Sequence, residues 1–451
     1  MQLIQIALFI LLTATSMSLF FVQGKRIYKN IMLGRKTKVH DDPAWGVKQM
    51  FLIAFGQKKM FKITSAALLH LVIYVAFLIT QIELIEVFID GFTGKHRAVY
   101  HFFEDMNWSF PISLYYLSLN MIEILSVLAF FVTIAFLWRR NIIRLPRLNK
   151  PEMDGWPRMD GNLILLFELI LIICIFSMNI GDGALQLKGT QEHYPALSDG
   201  LFLLSGKLAP YFVGWSDAML IGLERFGWWG HIIMVFVFLN YIPNSKHLHI
   251  MLAFPNTYFS RKQPQGEINN MPQIMNEVKS MFDDSMAEEM SEEEEEVHMG
   301  AKDATDLTWK NLLEAYSCTE CGRCTEQCPA NQTGKLLSPR KIMMDTRDRI
   351  EDIGKGIKEH GPDFSDNKTL LGDYITQEEL LACTTCNACV EACPVNISPL
   401  EIIVELRRAL AMDLADTPQE WNTMFTSMEN NQAPWQFSPD DRTNWKEELN
   451  K

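Results

Sequence analysis

The 451-residue chain is long enough for two or three domains, and its mean hydropathy near zero averages two very different parts. Residues 1–263 contain 24 basic and 17 acidic residues, whereas residues 264–451 contain 17 basic and 37 acidic residues, a balance of −20. This acidic second part disfavours nucleic acid and anionic lipid surfaces as its partners, and it suits a basic protein or a solvated face.

Five apolar stretches are long enough to cross a bilayer as helices, which takes about 20 residues. The predicted helices are roughly Leu3–Val22, Ile63–Phe88, Pro111–Leu137, Asn162–Asn179 and Gly227–Ile242. The first is interpreted as a retained helix and not a cleaved signal peptide, because its basic residues follow the apolar run. The last two are short, and we expect them to extend into their flanks.

The distribution of basic residues predicts the topology. The loop after the first helix, residues 25–62, contains ten basic residues and the loop after the third, residues 139–158, contains six, while the opposite side has five in all. Basic loops stay on the cytoplasmic side. The N-terminus is therefore predicted outside a bacterial cytoplasmic membrane, with the long C-terminal part in the cytoplasm.

The segments outside the five helices differ in character. The stretch Gly181–Phe226 contains apolar patches at Leu201–Leu204, Tyr211–Trp215 and Met219–Leu223, which are typical of a partly buried interfacial element. Residues 263–307, with the run Glu292–Glu296, are predicted as an acidic linker. Further helices are predicted at Asp306–Tyr316, Ser338–Ile353, Gln377–Leu381 and Pro399–Met412. Residues 413–451 are predicted as an extended tail suited to docking on a partner.

Eight of the nine cysteines form two copies of one motif, C-x2-C-x2-C-x3-C-P. Three closely spaced thiolates cap three corners of one cubane, and the fourth, followed by proline, serves the other cluster. One [4Fe–4S] cluster is therefore assigned to Cys318, Cys321, Cys324 and Cys393. The second is assigned to Cys383, Cys386, Cys389 and Cys328. Zinc is the alternative metal for paired C-x2-C motifs, but the duplicated motif with its terminal proline favours iron–sulfur clusters. The ninth cysteine, Cys174, is interpreted as a small core residue.

Four histidines in or beside the apolar helices are candidate haem ligands, because ionisable residues inside a bilayer are costly and usually functional. His70 lies in the second helix, and His231 opens the fifth. His247 and His249 follow at its inner end. In an unbroken helix His231 and His249 share a face about 27 Å apart, which suits two stacked haems. Pro243 is the residue at which that helix is expected to break.

Four glutamates also lie within or near the spans: Glu83, Glu86, Glu123 and Glu168. Two interpretations are open for them. They carry protons for a quinone, or they pair with other buried polar groups.

The chain resembles membrane-bound iron–sulfur oxidoreductases. The run Phe55-Gly56-Gln57-Lys58-Lys59, His70, His231 and the run Pro243-Asn244-Ser245-Lys246-His247-Leu248-His249 are similar to the cytochrome b subunit of respiratory nitrate reductase. The stretch from Thr308 through Cys328-Pro329, with Leu337-Ser338-Pro339 following, looks like the helical ferredoxin of heterodisulfide reductase relatives. The resemblance implies an all-α fold, with a five-helix transmembrane haem b domain over residues 1–262 and a helical ferredoxin domain with two [4Fe–4S] clusters over residues 308–412.

Two departures from the family pattern bear on the cofactors and partners. The nitrate reductase cytochromes carry two histidines on helix 2, whereas only His70 is available here, so one haem is expected and a second needs a further ligand. Larger relatives continue into cysteine-rich CCG domains, and this sequence has no Cys-Cys pair. The resemblance therefore implies that a separate cytoplasmic subunit, a CCG-domain protein or a flavoprotein such as electron-transfer flavoprotein, completes the system.

Two functions are compatible with these expectations. The favoured one is an oxidoreductase subunit that passes electrons between a cytoplasmic partner and quinone or menaquinone through the two clusters and haem b. The alternative is a non-catalytic electron relay and membrane anchor of a larger redox complex.

Overall fold

The computed structural model describes residues 2–190, 194, 202–282, 299–435 and 438–449. The predicted acidic run Glu292–Glu296 and Leu201 of the first apolar patch lie outside the described residues. Within the described residues the chain is helical, and its only β-type pairing consists of isolated bridges such as that between Arg35 and Thr308. The all-α prediction is confirmed.

The first part of the chain contains five long helices with short ones between them. The α-helices of this part are α1 (Gln2–Ile31), α2 (Pro43–Gln49), α3 (Thr64–Thr93), α4 (Ala98–Asp105), α5 (Ser109–Asn141), α6 (Trp156–Lys188), α7 (Ser205–Leu208), α8 (Asp217–Tyr241), α9 (His249–Tyr258) and α10 (Pro272–Ser280). Helices α1, α3, α5, α6 and α8 are each long and apolar enough to cross a membrane. All five predicted spans are present, and most extend beyond the predicted bounds.

Local sequence sets the ends of these helices and how closely they pack. Gly94 and Gly189 have left-handed φ values of 69° and 61° and end α3 and α6, which is the usual role of glycine after a helix. Helices α6 and α8 approach closely at Gly227, where a Cβ atom would lie only 2.4 Å from the backbone nitrogen of Met178. Small residues allow such close approach between membrane helices.

The second part is a compact module of shorter helices. They are α11 (Trp309–Ser317), α12 (Arg323–Glu326), α13 (Pro329–Gln332), α14 (Pro339–His360), α15 (Gln377–Leu381), α16 (Ala388–Ala392), α17 (Pro399–Arg408), α18 (Gln419–Asn431) and α19 (Trp445–Leu449). The tail predicted as extended instead contains α18, because residues 419–431 have no internal glycine or proline to interrupt a helix.

The module and the ends of the long helices share one hydrophobic core. Ile27 and Ile31 of α1 and Phe238 of α8 belong to the same buried cluster as Leu312 of α11 and Ile342 of α14. Backbone hydrogen bonds cross the boundary as well, from Arg35 N to Leu307 O at 2.8 Å and from Trp309 N to Arg35 O at 3.0 Å. The module therefore sits directly against one end of the bundle, called below the module end; the opposite end is the far end.

The unbroken helix that would join His231 to His249 is not formed. Helix α8 ends at Tyr241, two 3-10 turns follow at Ile242–Asn244 and Lys246–Leu248, and α9 begins at His249. Pro243 lies in the first turn, and its missing N–H and its ring do not allow the α-helix to continue. The helix breaks at Pro243, as expected from the sequence, so His231 and His249 do not share one helix face.

Candidate redox centres

The two cysteine motifs adopt the same backbone path. Glu320 and Gly322 in the first motif have left-handed φ values of 53° and 74°, and the corresponding Thr385 and Asn387 in the second have φ values of 54° and 59°. Non-glycine residues adopt this conformation at a cost, and they keep it where the surrounding structure requires it. The left-handed residues at the same two positions give both loops the same curved path, and the cysteines of each loop line one cavity.

Each loop encloses a cavity that receives one cysteine from the other motif. The lining of the first cavity includes Cys318, Cys321, Cys324 and Cys393. The lining of the second includes Cys383, Cys386, Cys389 and Cys328. These are the two sets assigned from the sequence. We call them the cluster 1 cavity and the cluster 2 cavity.

The surroundings of both cavities fit iron–sulfur clusters. Among the described residues no three His, Cys, Asp or Glu side chains lie close enough together to hold a single metal ion. Backbone N–H groups of Ile397 and Thr385 donate to the sulfurs of Cys393 and Cys383 at 3.3 and 3.4 Å. Burial raises the pKa of the Cys318 thiol to about 12, so binding a metal there displaces a tightly held proton.

Arg340 is a buried cation in the wall of the cluster 1 cavity. Its side chain is fully buried, and one terminal nitrogen donates to Glu152 at 2.6 Å. In the described part of the chain its Nε atom has no hydrogen-bond partner. Gly322 makes room for this side chain, since a Cβ atom there would lie 2.5 Å from the guanidinium. A donor left unsatisfied beside the cavity suits an acceptor such as a cluster sulfide.

The cluster 1 cavity lies on the side of the module that contacts the bundle. Arg323, between Cys321 and Cys324, donates to Met60 O at 3.2 Å. Asn256 of α9 donates to the carbonyl of Val395 at 2.8 Å, two residues beyond Cys393. Cys386 of the cluster 2 cavity is instead exposed. The two cavities therefore differ in position, with one against the membrane part and the other near solvent.

A charged bridge fixes this contact. Lys246 Nζ donates to Glu320 at 2.7 Å and to the carbonyl of Pro157 at 2.6 Å, and Glu320 also accepts from Arg347 at 2.8 Å. Lys246 and Asp160 are also 3.8 Å apart. The two cations lower the pKa of Glu320 although burial opposes this. The bridge joins the first cysteine loop to α6 and to the turn after α8.

His70 and His249 are oriented as haem ligands usually are. The Nδ1 atom of His70 lies 3.2 Å from Oε1 of Gln57, and Nδ1 of His249 lies 2.8 Å from the carbonyl oxygen of Lys246. Both partner oxygens can only accept, so each Nδ1 carries the proton and each Nε2 is left available to a metal. Hydrogen bonds of this kind fix the tautomer and the ring orientation of metal-ligating histidines.

The other two candidate histidines are arranged differently. The ring centres of His247 and His249 are 5.5 Å apart. Burial lowers the pKa of His247, and the neighbouring His249 and His70 lower it further, so these three imidazoles form one group at the module end. His231 is buried within α8, and among the described residues the Nδ1 atoms of His231 and His247 have no hydrogen-bond partner. Compared with His231 and His247, His70 and His249 are thus the better candidates for haem ligands, because their Nδ1 atoms have acceptors that orient the rings.

The four glutamates have different hydrogen-bond partners. Glu86 accepts from Tyr115 at 2.6 Å and lies 3.6 Å from Arg97, which also contacts Asp182 at 3.0 Å, in a buried polar network at the far end. Glu83 is buried one turn before Glu86, and in the described part of the chain its carboxylate oxygens have no hydrogen-bond partner.

The other two glutamates differ from this pair. Glu123 accepts from the hydroxyl of Ser205 and from the amide of Leu204 at 2.8 Å, and so anchors the segment before α8. Glu168 stands apart on α6. Pairing with polar groups therefore accounts for Glu86 and Glu123.

Three contributing residues have weak signals in the sequence. Gln57 lies in a run that carries the family resemblance, but its bond to His70 depends on a turn with φ of 50°. Arg340 and Glu320 lie close to the cysteines in sequence and look like ordinary surface charges. Glu320 lies between two cysteines and two residues before Gly322, and this position inside the motif is the one sequence feature that could have drawn attention to it.

Comparisons with known proteins agree with the assignment of two [4Fe–4S] clusters to the module. Residues 317–397 match the family described as 4Fe-4S dicluster domain. The chain is 27% identical to a probable iron-sulfur-binding oxidoreductase FadF of Bacillus subtilis, over 98% of this chain and 60% of that protein. It is 26% identical to an EtfAB:quinone oxidoreductase of Syntrophomonas wolfei, over 93% of this chain and 56% of the relative.

A third relative matches a smaller part. A probable membrane-anchored ferredoxin of Chromohalobacter salexigens is 34% identical over 34% of this chain and 24% of its own length. The chain spans little more than half the length of the first two relatives. No solved structure matches the chain. Together with the five long apolar helices, these findings identify a membrane protein that carries a [4Fe–4S] dicluster ferredoxin domain.

Proposed function

We propose that the chain is the membrane subunit of a quinone-linked iron–sulfur oxidoreductase. In this proposal it exchanges electrons between a soluble redox partner and quinone or menaquinone through two [4Fe–4S] clusters and haem b. One observation carries the proposal: the cluster 2 cavity reaches solvent at Cys386 and the cluster 1 cavity faces the bundle. At that contact His249 bonds the carbonyl of Lys246, whose side chain donates to the first cysteine loop at Glu320, and His70 lies near the start of α3.

The chain's own residues hold and separate the cofactors. When bound, the clusters and haem supply one-electron transfer. Cys328 and Cys393 each line the cavity of the other motif, so as cluster ligands they would also link the two cysteine loops. Gln57 and the carbonyl of Lys246 keep the imidazoles of His70 and His249 with Nε2 available to iron. His70 and His249 would hold the haem through two neutral imidazoles, and ligation of this kind favours electron transfer over oxygen chemistry.

The proposed orientation puts the module in the cytoplasm of a bacterium. The loops at the module end contain most of the basic residues of the membrane part, in agreement with the rule that basic loops remain inside. Free thiolates that bind metal also require a reducing compartment.

The soluble partner is proposed to be electron-transfer flavoprotein or a subunit with CCG domains. The name of the Syntrophomonas wolfei relative, EtfAB:quinone oxidoreductase, supports the flavoprotein and the quinone. The site for the soluble substrate is proposed to lie on that partner.

The proposal is tested by adding menaquinol to the purified protein and recording the haem absorbance. We expect haem reduction followed by reduction of an acceptor that takes electrons from the clusters. The His70→Ala and His249→Ala variants should contain no haem, while His231→Ala should retain it. Haem that menaquinol cannot reduce would contradict the quinone-linked function, and full haem content in both His70→Ala and His249→Ala would contradict the ligand pair.

A further inference from the structure

A wide groove runs along the junction of the module and the membrane part. It has a volume of about 890 Å³ and is lined by residues after α1, between α9 and α10, and on or beside α11 and α17. Its walls therefore come from both parts of the chain. The backbone hydrogen bonds between Arg35 and the Leu307–Trp309 segment keep these walls together.

The charge of the groove is opposite to that of the rest of the module. Three acidic residues, Glu267, Glu401 and Glu405, line the groove, and six basic residues line it as well: Arg35, Lys36, Lys38, Arg261, Lys310 and Arg408. The lining residues alone have an excess of three positive charges, and Glu314 and Asp41, which pair with Lys310 and Lys38 just outside the lining, reduce it to one. The groove is thus weakly basic, whereas residues 264–451 carry a balance of −20. A basic groove on an otherwise acidic module attracts an acidic surface of a partner to the groove rather than to the rest of the module.

The groove also lies against the cluster 2 cavity. Asn387, between Cys386 and Cys389, lines both the groove and the cluster 2 cavity, and so does Leu400. The residues that line the cluster 1 cavity are all different from those of the groove. A molecule bound in the groove is therefore separated from cluster 2 by a single layer of side chains.

We propose that this groove is the docking site for an acidic surface of a soluble electron-transfer protein, whose redox centre is brought against the wall shared by Asn387 and Leu400. This inference rests on the proposed function, and it names the entry point and the charge of the partner. An anionic lipid headgroup has the matching charge, but it exchanges no electrons, so it does not account for a groove wall that is shared with a cluster site. A redox protein with an acidic surface accounts for both the charge and the shared wall.

The test uses flavodoxin, a small acidic flavoprotein, in its reduced form as the probe and the full-length protein in neutral-lipid nanodiscs. The rate of cluster reduction is measured by stopped flow at several salt concentrations. Lys36→Glu together with Lys38→Glu reverses two exposed charges of the groove. Lys358→Glu, on the exposed end of α14 and outside the groove lining, is the matched control.

We expect the double variant to be reduced at least tenfold more slowly than wild type at low salt, with the difference vanishing at high salt, since electrostatic steering contributes about 10- to 1,000-fold to association rates and is screened by salt. Lys358→Glu should stay close to wild type. Equal rates for wild type and the double variant at every salt concentration would overturn the proposal. So would anionic-lipid nanodiscs that slow wild type to the rate of the double variant, because lipid would then occupy the groove.

Failure of the proposed function gives a different result. Haem reduction by menaquinol is measured in the same samples, and its absence in wild type would contradict the quinone-linked function while leaving the flavodoxin rates interpretable.

Discussion

The Lys246–Glu320 bridge should control how tightly the module is held against the bundle. Lys246→Met removes a cation whose side chain is 10% exposed and leaves Glu320, 4% exposed, paired with Arg347. Breaking a buried ion pair costs about 3–5 kcal/mol. Because Arg347 still neutralises Glu320, we expect the lower end, about 3 kcal/mol, which corresponds to about a hundredfold larger population of the undocked state.

Hydrogen exchange measures this population directly. The amides of Arg35 and Trp309 donate across the boundary, so they exchange when the module separates from the bundle. In Lys246→Met both amides should exchange about a hundredfold faster than in wild type. Lys262→Met is the matched control, since Lys262 pairs with Asp42 at 2.8 Å on the exposed surface, where a pair contributes at most about 1 kcal/mol. Equal acceleration in the two variants would refute the reasoning.

Three further predictions concern the cofactor surroundings and the module. Gln57→Leu removes the partner of Nδ1 of His70 and should lower haem affinity about 10- to 100-fold, measured as haem retained during dialysis. Arg340→Gln removes a buried cation and should shift the cluster 1 potential to more negative values in an EPR-monitored redox titration, with cluster 2 unchanged. Burial raises the pKa of Asp345 to about 6 from 3.8 in spite of the hydrogen bond from Lys341, so the folded state holds a proton that the unfolded chain has lost. The stability from this group is full below 3.8 and falls as pH rises toward about 6, and Asp345→Asn should flatten that decline in denaturation curves.

The cysteine sets and the long helices could be read from local pattern. The spacing within each motif determines which three thiols share a loop, and the proline after the fourth turns that cysteine away, so the exchange between motifs is already encoded in a dozen residues. Helix length follows from the thickness of the bilayer. These are properties of short segments, and tertiary contacts do not change them.

The roles of individual polar residues depended on contacts far apart in sequence. Glu123 and Glu168 look equivalent in the sequence, yet Glu123 accepts from Ser205, 82 residues later, and Glu168 has no such partner among the described contacts. The break between His231 and His249 could be expected from Pro243, but the direction that the chain takes through the two 3-10 turns after α8 could not. The basic groove could not be predicted either, since its charges come from segments near residues 36, 261 and 408.

Iron, sulfide and haem analysis of the purified chain, combined with EPR spectroscopy of its reduced and oxidised forms, tests the central claim most directly. We predict two [4Fe–4S] clusters and one low-spin haem b with two imidazole ligands in each chain. Zinc in place of iron in the cysteine cavities, or a preparation without haem, would contradict the account.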